Sequence, residues 1–127
     1  MIRRRELVIG LAAVASVSEA QEVHDMYGLI GKMMAQPGQR DQLIAILLEG
    51  TAEMPGCFSY IIAKDSVDEN AIWITEVWNS KASHEASLSL PAVQKAIAKG
   101  RPMIAGFGDR FTTIPVGGQG LPPAKSR

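Results

Sequence analysis

Three side chains within the stretch EVWNSKASHEASLSLP, residues 76–91, have the types and spacing that proton chemistry needs: the Glu76 carboxylate, the Trp78 indole and the His84 imidazole. The chain has two histidines, and an imidazole with an unperturbed pKa of about 6.5 keeps much of its base form at neutral pH. Glu76 and Trp78 are two residues apart, so on a strand they project to one face. His84 falls at about the fourth position of a helix that follows after a very short turn, and it shares a helix face with Leu88. If Leu88 packs inward, His84 stands at the rim of that face and the three groups converge at one end of a helix-covered pocket. The plainer reading is a solvated histidine early in a surface helix and a core tryptophan at a strand end. Spacing alone leaves both open.

Other chemistries have less support. His24 and His84 lie on unrelated elements and Cys57 has no partner at ligand spacing, so no metal site is expected. Cys57, in GCFSYIIAK, has no cation beside it and reads as a small buried side chain rather than a reactive thiolate; as the only cysteine it forms no disulfide within the chain. Asp65, Asp68 and Glu69 lack the ligand ladder and central glycine of a calcium loop and read as a solvated turn. There is no glycine-rich phosphate loop and no nucleophile elbow. Thirteen basic residues balance thirteen acidic ones, and no basic run is interleaved with aromatics, which argues against nucleic acid as a partner.

The 127 residues, 46% hydrophobic and 20% charged, suit one globular domain. Residues 1–25 differ from the rest. Three arginines, an apolar run from Leu7 to Val17 and small residues ending at Ala20 read as a signal segment, and the Arg4-Arg5 pair ahead of the run resembles a twin-arginine signal. The expected location is the periplasm. An N-terminal helix of a cytoplasmic protein is the alternative. The run is shorter than the roughly 20 residues that span a bilayer, so no stable membrane insertion is expected.

The elements that must position the three side chains follow from periodicity and punctuation. Residues 26–35 read as a strand broken by QPGQ. From Gln39 to about Met54, Leu43, Ile46, Leu47, Gly50 and Met54 recur at helical spacing, and Ile44 and Leu48 widen the stripe, as for a helix lying flat on a sheet. Pro55-Gly56 ends it. CFSYIIAK, the polar cluster DSVDEN and AIWITEVW read as a hairpin over residues 57–78, with Ile72, Ile74, Glu76 and Trp78 on one face and Trp73, Thr75 and Val77 on the other. Ser80 can cap the next helix. Pro91 opens another, ended by Gly100, and RFTTIPV, residues 110–116, reads as a last strand. The Gly- and Pro-rich tail, 117–127, forms no regular element.

This order is β-α-β-β-α-β, the α+β ferredoxin-like arrangement with an antiparallel sheet. Helices cover one sheet face, yet the strands are apolar on both. A second copy of the chain is the economical cover, which predicts a homodimer.

PGQRDQL after the first strand, then PGCFSY, then ITEVWNS followed by a helix with a histidine resemble the antibiotic biosynthesis monooxygenase family, including its quinol monooxygenase branch. The resemblance covers residues 26–116, and its most specific part is Glu-x-Trp-x-Ser with the downstream histidine. It implies a dimeric α+β barrel with a pocket between sheet and helices in each protomer, acting on a small quinol or phenolic aromatic with molecular oxygen and with no cofactor or metal. It assigns Glu76, Trp78 and His84 to catalysis and Asn79 to the polar neighbour of the tryptophan. The ring-binding reading adds Tyr60 as a stacking partner beside Trp78 and Arg101 as a holder of an oxyanion. The histidine comes six residues after the tryptophan rather than about nine, a shift of about one helical turn, or about 4.5 Å along the axis. Haem-degrading relatives carry an asparagine on the first strand where this chain has Gly31, which argues against haem. The same scaffold also serves binding and stress-response proteins, and an isomerase or dehalogenase would show proton transfer without oxygen uptake; fold does not choose among them.

Overall fold

The first described element is a strand, β1, Tyr27–Ala35, in a computed structural model of the chain that describes residues 25–123. The signal-like segment lies outside the described residues except for Asp25, and so does the end of the tail from residue 124. Helix α1, Arg40–Gly50, follows, then β2, Cys57–Lys64, and β3, Ala71–Trp78. Two short helices, α2, Lys81–Ser87, and α3, Pro91–Gly100, and a single 3₁₀ turn, Arg101–Met103, lead to β4, Ile104–Thr113. The four strands form one antiparallel sheet in the order β2-β3-β1-β4, the ferredoxin-like topology. No helix among the described residues is long and apolar enough to cross a membrane.

The sequence periods decide what each face does. Along β3 the alternation holds: Ile72, Ile74 and Trp78 are buried under the helices, while Trp73, Thr75 and Val77 on the opposite face are half-buried. Leu43 of α1 meets Ile72, Ile74 and Ala35 in the core, with Ile44 and Leu47 packed around them. Each large apolar side chain fully buried there contributes about 1.5 to 3 kcal/mol relative to exposure. Leu48 stands outside that stripe, 56% exposed, because the helix presents a narrower face than its apolar content suggests. The helix also stops at Gly50 rather than near Met54: the Thr51 hydroxyl and amide both donate to the Leu47 carbonyl and close the last turn.

The last strand departs most from expectation. It begins at Ile104, six residues before Arg110, and ends at Thr113. Its pairing with β1 shifts register between Gly31 and Met33 and again between Met34 and Ala35. Such bulges insert extra residues and destroy the two-residue alternation by which a strand is read. Residues 117–123 carry no helix or strand.

The acidic cluster between β2 and β3 is a tied turn. Asp65 accepts N–H bonds from Val67 and Asp68 and the indole N–H of Trp73 at 2.8 Å, and Asp68 accepts from Asn70. The Arg40 guanidinium donates to the carbonyls of Asp65, Asp68 and Ala71, which clips α1 to the hairpin. On the uncovered face the Lys32 ammonium lies 5.6 Å from the centre of the Trp73 ring. The amide bonds from Asp68 and Val67 and the indole bond hold the Asp65 carboxyl down at about 2, against an ordinary 3.8. A group depressed on folding adds stability above its unfolded pKa, so this contribution is complete above about pH 4 and is lost as the pH falls through about 2. Thermal melts at pH 4 and pH 2 are expected to show a larger fall in Tm for the wild type than for Asp65→Asn. Equal falls would mean that the carboxylate is not what ties the turn.

Candidate active site

Glu76 and Trp78 leave β3 on the helix-covered face, and α2 begins three residues after Trp78. Ser80 is its cap: the side-chain oxygen accepts the Ser83 amide at 3.1 Å, and the Ser80 carbonyl takes the His84 amide. That cap sets the helix start at Lys81 and makes His84 the fourth helical residue, over the end of the strand it has just left.

The three groups meet. The Trp78 indole N–H donates to Glu76 Oε1 at 2.9 Å. The same oxygen lies 3.8 Å from His84 Nε2, with both side chains 15% exposed. The imidazole stands edge-on to the Trp78 ring, 5.5 Å between centroids and 76° between planes, and 5.4 Å from the ring of Tyr27. His84, six residues after Trp78, thus lies beside the carboxylate. Its Nδ1 is buried with no hydrogen-bond partner.

Glu76 and His84 open onto a hollow of about 310 Å³ between sheet and helices, floored by Leu29, Gly31 and Ile74 and edged by Arg110 of β4. Gly31 pairs with Ile74 across the strands and stands between Leu29 and Met33 on the same face; a Cβ there would meet nothing within 4 Å. Its missing side chain is thus part of the hollow. A second hollow of about 660 Å³ lies beside it under α1 and α3. Both volumes lie within the range of small-molecule sites.

The other expected site residues divide. Tyr60 sits opposite Glu76 in the β2–β3 pairing and lines the larger hollow. Burial, reinforced by the nearby charges of Glu76 and Cys57, pushes its phenol up well beyond the ordinary 10, so it stays protonated and can donate a hydrogen bond. Arg101 also lines the larger hollow, exposed, away from Glu76 and His84. Trp78 is 1% exposed and lines neither hollow. It stands behind Glu76 and orients it, and has no free ring face for a substrate. Asn79 is exposed and also lines neither; its amide donates to the Gly56 carbonyl and its Oδ1 accepts from Ser80, so it fastens the turn before α2. The Cys57 thiol is raised by burial, in keeping with an inert side chain. Among the described residues no three His, Cys, Asp or Glu side chains are grouped to hold a metal ion.

Tyr27, Gly31 and Phe107 escaped the sequence reading. Tyr27 pairs with Trp78 across β1 and β3, a neighbourhood set by strand order. Gly31 has no side chain, so its part in the hollow leaves no signal in the sequence.

A four-stranded antiparallel sheet with a carboxylate and an imidazole at the mouth of a hollow under its helices defines a ferredoxin-like α+β protein with one candidate active site. The sequence profile of the antibiotic biosynthesis monooxygenases matches residues 26–99, more than half of the chain, and the chain belongs to that family. A structure from Chloroflexus aurantiacus J-10-fl, named as a candidate antibiotic biosynthesis monooxygenase, is 65% identical, covers 76% of this chain and 99% of its own, and superposes with a TM-score of 0.74. A similarly named structure from Caulobacter crescentus CB15 is 19% identical, covering 76% and 93%, with a TM-score of 0.61. One from Nitrosomonas europaea is 14% identical, covering 74% and 90%, also at 0.61; these two share the fold. No match was found among curated proteins.

Proposed function

We propose that the protein is a cofactor-independent monooxygenase that acts on a small quinol or phenolic aromatic with molecular oxygen. The observation that carries this reading is the pairing of His84 Nε2 with Glu76 Oε1 at 3.8 Å, at the edge of a hollow between sheet and helices. Family membership supports it. His84 takes the phenolic proton through Nε2, and the Glu76 carboxylate, steered by the Trp78 N–H, stabilises the imidazolium that forms. The ring anion then gives an electron to oxygen, and superoxide and the ring radical combine at a ring carbon. Loss of water from that peroxide leaves one oxygen atom on the ring and sends the other out as water. A hydroquinone and one O₂ thus give a hydroxyquinone and one H₂O, four electrons passing from ring to oxygen. The protein's part is to desolvate, orient and deprotonate.

The decisive experiment is an oxygen electrode with a panel of quinols, followed by mass spectrometry of the product made under ¹⁸O₂. Uptake above the uncatalysed rate with one labelled atom in the product is expected. A shift in tryptophan fluorescence without uptake would instead identify a binding protein, and proton exchange without uptake an isomerase-type activity.

The same reading includes a homodimer. Ile61, paired with Thr75, and Phe111, paired with Ile30, lie on the sheet face that no helix covers and are 55% and 53% exposed. A one-chain mass by light scattering at micromolar concentration would contradict it. Export to the periplasm rests on the arginine-rich apolar segment at the N-terminus, and Met1 or Ile2 found intact on protein from its native host would refute it.

A further inference from the structure

We propose that the ligand of this site is an amphiphile whose phenolic ring occupies the smaller hollow and whose apolar arm extends into the larger. The inference rests on reading the Glu76–His84 hollow as the reacting end. The two hollows adjoin, with Met33, Leu88 and Phe107 lining both.

Their linings differ in kind. The smaller collects the ionisable groups: Lys32, Glu76, His84, Asp109 and Arg110. The larger is walled by Leu43, Leu47, Val93, Ile97 and Ile104, with Thr51, Tyr60 and Arg101 as its polar members. The Thr51 hydroxyl is already spent on the Leu47 carbonyl, and Arg101 is exposed. Most of the larger hollow therefore offers a ligand no hydrogen bond, and aliphatic walls reward apolar surface.

Its size points the same way. At about 660 Å³ against about 310 Å³, it is more room than a single ring held beside Glu76 can use. The space exists because small residues line it: Gly106, where a Cβ would meet nothing within 4 Å, and Ala96, Gly100 and Ala105. Left unfilled, such an apolar hollow forfeits dispersion contacts that water replaces poorly. One molecule that spans both hollows meets both linings.

The test is a binding ladder read by calorimetry without oxygen: 4-alkylphenols from methyl to octyl, titrated into the full chain. Each added methylene is expected to tighten Kd by roughly fourfold until the larger hollow is full, since burying one contributes about 0.8 kcal/mol. Ile97→Trp, which fills that hollow from α3, is expected to flatten the ladder, with circular dichroism checking that the variant is folded. Methyl and octyl homologues binding alike would overturn the proposal, and so would an unchanged ladder in folded Ile97→Trp, which would place the alkyl chain elsewhere. A steep ladder without oxygen uptake on the matching alkylquinols would uphold the ligand class while refuting the oxygenase reading.

Discussion

Replacing His84 with alanine is expected to lower quinol-dependent oxygen uptake by about 10²- to 10⁴-fold, the range that general-base catalysis supplies. The variant leaves Glu76 and its indole bond in place, so the loss reads the imidazole alone. Glu76→Gln keeps the shape and still accepts from the Trp78 N–H but removes the charge that lies 3.8 Å from Nε2. It is expected to cost roughly 10- to 150-fold, the equivalent of about 1.5 to 3 kcal/mol for an interaction with a charged group. The order of the two losses carries the information. If Glu76→Gln falls further than His84→Ala, the carboxylate is the base and the imidazole its helper. If neither variant slows uptake in an oxygen electrode while thermal melts show both folded, the hollow is not where the chemistry happens.

Gly56→Val is expected to destabilise the fold by about 2 to 5 kcal/mol, read from urea unfolding midpoints. Gly56 has φ +85°, and an L-residue in that left-handed region costs about 1 to 2 kcal/mol. A Cβ there would also come within 2.5 Å of the Ser83 Oγ, 2.6 Å of its Cβ and 2.9 Å of Asn79 Oδ1, and forced overpacking adds about 1 to 3 kcal/mol. The position matters beyond stability. Ser83 is one residue before His84 and donates its amide to the Ser80 cap, so pushing it away moves the helix start that aims the imidazole. The variant is therefore expected to lose oxygen uptake even where it remains folded. An unchanged urea midpoint would show that the turn yields more easily than its contacts imply.

Much of this arrangement was legible in the chain because it depends on local rules. Pro55-Gly56 and the DSVDEN cluster bound β2 and β3 so sharply that both strands run over the expected residues, Cys57–Lys64 and Ala71–Trp78. Ser80 marks the start of α2, and the two-residue period of β3 puts Glu76 and Trp78 on one face. The acidic cluster reads as a turn from its composition, but its ties to Arg40 and Trp73 come from α1 and β3 meeting it in space.

What the sequence determined by itself is the element order and the shared face of Glu76 and Trp78, since backbone period, caps and turn residues act over a few neighbours. Only the tertiary structure decided that the indole stands behind the carboxylate instead of facing a ligand, and that Tyr60 and Arg101 line a second hollow. It also decided that β4 starts at Ile104 and that Tyr27 stands beside His84. Those outcomes follow from which strands lie side by side, from bulges that erase the alternation, and from how two helices roof the sheet. Each depends on contacts between residues far apart in the chain, which no local spacing encodes.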